Sequence, residues 1–330
     1  MATMRSVIAA SFFALGVGVL AGCGGSTTAT GHSSLPTPLR ITARFTAKSL
    51  GLRNPRSLAI GPDGNLYVTD ASQRVSVISP GGHVLRRWGR LGSGRGEFRF
   101  VAGNEDPNDI DGKVAVGGPD AAVYVSDGGN GRVQVFTPQG HFVSQFGSFG
   151  EGEAQFLDPR GLAVDHEGNV YVVDDTRATL SKFAPGGKLV WRVGGATSSD
   201  RDLGGHLQLM GSVDRHDRLV IANDKRGRIV YVDAGGHAVD SFGAPTRRLA
   251  SSWACGATVD AQGNTYVFEC FPRHLMRVFD RTHRLIARWS TATFGPPQFG
   301  PHGEIFALYE GRGADVVRGI LKLAVTRPSS

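Results

Sequence analysis

Six positions carry the most suggestive chemistry in this chain: Asp70, Asp127, Asp174, Asn223, Glu269 and Tyr309. Drawn into a ring, the four carboxylates and the amide would form an oxygen-lined site of the kind calcium takes. The same residue types also cap loops by accepting backbone N–H groups, and this structural role is the preferred expectation. Arg56 and Arg160 stand at a second repeated position, shared with Gly112, Leu209, Cys255 and Gly295. They could hold a carboxylate or phosphate, or form ion pairs with Asp70 and Asp174. Trp253 could stack on a sugar or an aromatic ligand, or belong to the core.

These positions are equivalent because the sequence repeats. Asn54–Gly89, Lys113–Gly147 and Asp158–Gly194 are alike, as in NPRSLAIGPDGNLYVTD and DPRGLAVDHEGNVYVVD. More divergent copies run over Gln208–Gly243, Ser252–Trp289 and Pro297 to about Ala324. Each copy reads as four short strands with Gly-containing turns at the first-to-second and third-to-fourth corners. The 47 glycines among 330 residues, roughly 14% against a usual ~7%, fit many tight turns. Four strands per repeat predict an all-β propeller with six blades.

The run FGSFGEGEAQF (146–156), followed by DPRGLAVD (158–165) and GNVYVVD (168–174), resembles the NHL repeat. So does GRLGSGRGEF (89–98). The resemblance covers residues 40–325 and implies a six-bladed NHL-like propeller in which the repeated Asp is structural. Gly92, Gly94 and Gly96 imitate a phosphate loop, but they join two strands rather than a strand and a helix. The last copy lacks an outer strand, and Leu39–Lys48 precedes the first copy. The N-terminal strand is therefore expected to complete the last blade and close the ring, hiding strand edges.

The remaining signals concern address and chemistry. Arg5, the apolar run Val7–Leu20 and Leu20-Ala21-Gly22-Cys23 resemble a bacterial lipoprotein signal, which implies acylation of Cys23 and a membrane anchor. The expected organisation is residues 1–22 signal peptide, 23–38 flexible Gly/Ser/Thr tether, 39–326 propeller and 327–330 tail. Cys255 and Cys270 then remain as an even pair in an exported chain. A two-residue turn at Gln262-Gly263 would set them opposite each other. A three-residue turn at Ala261–Gly263 would put Cys255 opposite Glu269 and strain a bond.

The net charge of +7 is scattered, which disfavours nucleic-acid binding. His83, His141, His237, His166, His216 and His302 fall at dispersed turns, leaving His206 and His274 as channel-mouth candidates. No nucleophile elbow, His-Glu-x-x-His or P-loop is present. The expectation is a monomeric binding scaffold for a protein, peptide or cell-wall ligand, without a cofactor. The alternative is a metal-dependent lactonase- or lyase-like enzyme, in which Asp127, Asp174, Asn223 and Glu269 would hold calcium in the channel.

Overall fold

The computed structural model describes residues 39–100, 112–195, 202–204, 207–208, 212–224, 226–243, 253–271, 274–311 and 318–326. Cys23, the signal peptide, the tether, His206, Leu209, Ser252 and the 327–330 tail lie outside them. Among the described residues no helix is long and apolar enough to cross a membrane.

Alternating apolar runs separated by Gly turns fold into six antiparallel sheets of four strands each. Blade 1 comprises Ser57–Ile60, Leu66–Asp70, Arg74–Ile78 and Val84–Trp88. Blade 2 comprises Val114–Gly117, Ala122–Asp127, Arg132–Phe136 and Phe142–Phe146. Blade 3 comprises Pro159–Val164, Val170–Asp174, Thr179–Phe183 and Leu189–Gly194. Blade 4 comprises Leu207–Gln208, Leu219–Asn223, Arg228–Val232 and Ala238–Phe242. Blade 5 comprises Trp253–Val259, Thr265–Phe271, Leu275–Phe279 and Leu285–Ser290.

Blade 6 takes Gln298–Phe299, Ile305–Glu310 and Arg318–Val325 from the C-terminal end and its outer strand, Leu39–Thr46, from the N-terminal end. The closing pair runs from Leu39 opposite Val325 to Thr46 opposite Gly319. The chain is an all-β, six-bladed β-propeller, closed as the sequence predicts.

Among the described residues no blade has a core of its own. Apolar residues gather into six clusters, one at each junction between neighbouring blades. Phe98, Phe136 and Val123 join blades 1 and 2, and Leu58, Phe306 and Ile320 join blades 6 and 1. Each such side chain, fully buried, contributes about 1.5–3 kcal/mol.

The junctions share a further device. The third-to-fourth turns contain three residues ending in a left-handed position, which is Gly82, Gly140, Gly187 and Gly236 in blades 1 to 4. Onto each packs an aromatic side chain from the preceding blade's outer strand: Phe45, Trp88, Phe146 and Trp191 respectively. A Cβ added at Gly140 would lie 2.7 Å from the Trp88 ring. In blade 5 the left-handed residue is His283, and its imidazole stacks on Phe242 with centroids 4.3 Å apart.

Cys255 and Cys270 form a disulfide, with Cα atoms 5.8 Å apart, within the ordinary range. Their hairpin takes the three-residue turn, with Asp260 N–H donating to Asn264 O at 3.0 Å. Regular pairing from that turn would separate the thiols, as the sequence analysis anticipates. Two register shifts correct this expectation: Ala254 pairs with Glu269, leaving Cys255 as an extra residue, and Trp253 pairs with Phe271, leaving Cys270 unpaired in the ladder. The bulges bring the cysteines side by side.

Two outcomes follow, both readable by urea unfolding. Gly140→Ala should destabilise by about 2–4 kcal/mol, combining left-handed strain with the clash on Trp88, whereas His283→Gly should stay within about 1 kcal/mol. Replacing both Cys255 and Cys270 by serine should cost about 3 kcal/mol, as expected for a loop of this length, and non-reducing peptide mapping of the parent chain should recover the linked pair.

Candidate functional site

The ring positions lie where the second strand of each blade ends, and in blades 1 to 3 the apolar strand delivers the carboxylate into near-complete burial. Asp70 and Asp127 are 0% exposed and Asp174 is 1% exposed. All three turn towards main-chain N–H groups. Asp70 accepts from Arg53 N–H at 3.1 Å and Ser72 N–H at 2.8 Å. Asp174 accepts from Leu157 N–H at 2.8 Å, Asp158 N–H at 3.2 Å and Arg177 N–H at 3.2 Å.

Asp127 has the densest shell. It receives Arg99 N–H at 2.6 Å, the Asn130 amide at 2.9 and 3.0 Å, the Arg132 guanidinium at 2.8 Å and the Gln134 amide at 3.2 Å. Each carboxylate thus ties the connection entering its blade to the loop leaving the second strand. Burial pushes the Asp70 and Asp127 carboxyls above the usual range, and their N–H donors pull them back.

Blade 4 inverts this polarity. The Asn223 amide donates to Asp202 O at 2.8 Å and Gly204 O at 3.2 Å, while its carbonyl accepts from Arg226 N–H at 3.1 Å. Here the incoming connection presents carbonyls, and an amide can donate to them where a carboxylate could not. In blade 5 Glu269 pairs with Arg277 at 3.1 Å, and burial pushes its carboxyl up. In blade 6 Tyr309 is buried, and the charge passes to its neighbour Glu310, which pairs with Arg318 at 2.7 Å.

The arginines depart from one expectation. Arg160 pairs with Asp158 at 2.5 Å rather than with Asp174, because Asp174 is engaged by the main chain. The reason is local: Asp158-Pro159-Arg160 places acid and base two residues apart with a rigid proline between them. Arg56 sits over the Phe294 ring, 5.1 Å from its centroid. With Ser57, Lys113 and Gln298 it lines a cavity of about 20 Å³ between the inner strands, room for about one water. Trp253 opens the inner strand of blade 5.

Sequence reasoning did not find the partners Asp158, Asn130, Arg132 and Gln134. Arg132 and Gln134 sit two residues apart on one strand face, a signal that was readable only once Asp127 was known to be buried beside it.

The glycine-rich connections are folded around side chains. Glu97 accepts from Gly94 N–H at 2.8 Å, and Gln155 accepts from Gly152 N–H at 2.8 Å. Two of the turn histidines join blades: His166 Nδ1 meets Asp217 at 2.5 Å, and His302 Nε2 meets Pro62 O at 3.0 Å. His274 lies edge-on to Phe268 at 5.6 Å. Among the described residues no three His, Cys, Asp or Glu side chains converge as a metal site would require.

No family model matches the chain. Over 141 residues it is 34% identical to peptidyl-glycine alpha-amidating monooxygenase of Mus musculus, a match taking in 39% of this chain and 13% of the relative. Over 123 residues it is 28% identical to Protein brain tumor of Drosophila melanogaster, covering 37% of this chain and 11% of that protein. The chain therefore spans about an eighth of the curated relatives it matches.

Among solved structures, a streptogramin B lyase aligns at TM-score 0.54 and 12% identity, over 87% of this chain and 98% of the other. A catalytically inactive histidine-to-alanine variant of virginiamycin B lyase from Staphylococcus aureus, with quinupristin, aligns at 0.57 and 10%, over 87% and 100%. At these identities the likeness is one of fold.

The polarity rule makes a reciprocal prediction. Asp70→Asn would turn a donor towards Arg53 N–H, and Asn223→Asp would turn a carboxylate towards two carbonyls. Each should cost about 1–3 kcal/mol in urea unfolding, although Asp and Asn both serve at this position in the parent chain. Indifference to both exchanges would contradict the anchoring role.

Proposed function

We propose that this protein is a lipid-anchored, extracytoplasmic propeller of the NHL-like kind, acting as a binding scaffold for a protein, peptide or cell-wall ligand. The observation that carries this reading is the state of the polar ring. Asp70, Asp127, Asp174 and Asn223 hold loops in place through main-chain hydrogen bonds, so they support a rigid disc and leave recognition to what the loops display. The Arg160–Asp158 pair and the water-sized cavity beside Arg56 point the same way.

Three further features support the address. Leu20-Ala21-Gly22-Cys23 supplies an acylation signal, and acyl chains on Cys23 would hold the protein at a membrane. The Gly/Ser/Thr segment that follows would serve as a tether. A disulfide between Cys255 and Cys270 belongs in an oxidising compartment. Binding to nucleic acid is disfavoured by the same export signal.

Two measurements test the reading. In a bacterial host the parent chain should sediment with membranes and carry acyl mass on the peptide beginning at Cys23, whereas Cys23→Ser should be soluble and unmodified. Photo-crosslinking in intact cells should trap an envelope partner on the full chain. Stoichiometric calcium in the purified protein, lost together with a hydrolase or lyase activity on Asp174→Ala, would instead establish the enzyme alternative.

A further inference from the structure

Five of the six blade junctions carry the aromatic-on-turn contact: Phe45 on Gly82, Trp88 on Gly140, Phe146 on Gly187, Trp191 on Gly236 and Phe242 on His283. Trp289 is the corresponding residue of blade 5. It pairs with Met276 on the third strand, as Trp88 pairs with Val75, Phe146 with Val133 and Phe242 with Ile229. Its neighbour, blade 6, has no third-to-fourth turn, because those two strands come from opposite ends of the chain. Ring closure therefore leaves no such turn to cover Trp289 among the described residues.

What stands there is an apolar groove of about 360 Å³, lined chiefly by Leu39, Ile41, Met276, Trp289, Leu321 and Leu323. Its volume falls within the range of ligand-binding clefts. Ile41 is 45% exposed at its rim, while Met276 is 1% exposed at its floor. Ser290, Thr291 and Thr293 add hydroxyl groups, and no charged side chain lines the groove among the described residues.

We propose that this seam groove is a docking site for a tight, uncharged polypeptide turn of a partner protein, one that sets a small residue against Trp289. The five filled junctions define the occupant's chemistry. In four of them the group seated on the aromatic ring is a left-handed glycine at the end of a three-residue turn, and in the fifth it is a stacked planar ring. A partner turn would complete at the seam the packing that the fold supplies elsewhere. The proposal rests on the binding-scaffold reading and names its surface.

The probe is a cyclised peptide with the sequence of residues 135–143, the turn that covers Trp88. Full-length protein is labelled with 5-fluorotryptophan, and the Trp289 resonance is assigned with Trp289→Phe. On titration the Trp289 signal should shift saturably while those of Trp88 and Trp191 stay fixed. Ile41→Glu, at an exposed rim position, should fold normally and weaken binding at least tenfold.

The proposal is overturned if Trp289 does not respond, or if Ile41→Glu binds as well as the parent. It is equally overturned if Leu35→Ser alone shifts the signal, which would make the chain's own N-terminal segment the occupant. A signal that depends on protein concentration would indicate a second copy and would also overturn it. A trapped envelope partner combined with a silent groove would remove this site and leave the scaffold reading standing.

Discussion

The pairing of residues 39–46 with residues 318–325 is the interaction on which the rest of the molecule depends. Each blade is one twisted sheet whose two faces bury themselves only against neighbours, and the apolar clusters lie between blades rather than within them. In an open ring two such faces would meet water, together with the unpaired edge of a three-stranded blade. The last blade has its edge completed from the other end of the chain, so closure is written into one ladder of main-chain hydrogen bonds. Leu39 serves twice, in the closing ladder and in the cluster between blades 5 and 6.

Closure also explains how the disc handles polarity. Inter-blade connections must return across the end of the disc to start the next inner strand, carrying main-chain N–H and C=O groups past an apolar interior. A buried group of that kind needs a partner. In blades 1 to 4 the side chain at the end of the second strand provides one, as carboxylate where the connection offers N–H groups and as amide where it offers carbonyls. At four of the six ring positions the polar side chain is a loop anchor.

Much of this was legible beforehand, for physical reasons. A repeat with hairpin glycines at constant offsets leaves few architectures, and a strand missing from the last copy with one spare at the start leaves one closure. The Asp positions were legible as structural because capping needs only a short acceptor at a loop entrance. Other features were hidden. The two bulges that bring Cys255 to Cys270 shift register without changing the length of the hairpin, so spacing could not reveal them. Arg160 pairs within its own tripeptide, with Asp158, which a comparison of neighbouring strands does not reveal. The outer-strand aromatics recur visibly as Trp88, Phe146, Phe242 and Trp289. Their role depends on which turn of the next blade they meet, and that is a fact of three dimensions.

The most direct test of ring closure is a cross-link across the seam. Arg40 lies opposite Ala324 in the closing pair, so a chain carrying Arg40→Cys and Ala324→Cys should oxidise to an additional disulfide, seen as a 40–324 linked peptide under non-reducing conditions. The linked protein should unfold in a single transition at higher temperature than its reduced form. Failure to form the link, together with unchanged cooperative unfolding after proteolytic removal of residues 39–46, would contradict the closed ring and everything built on it.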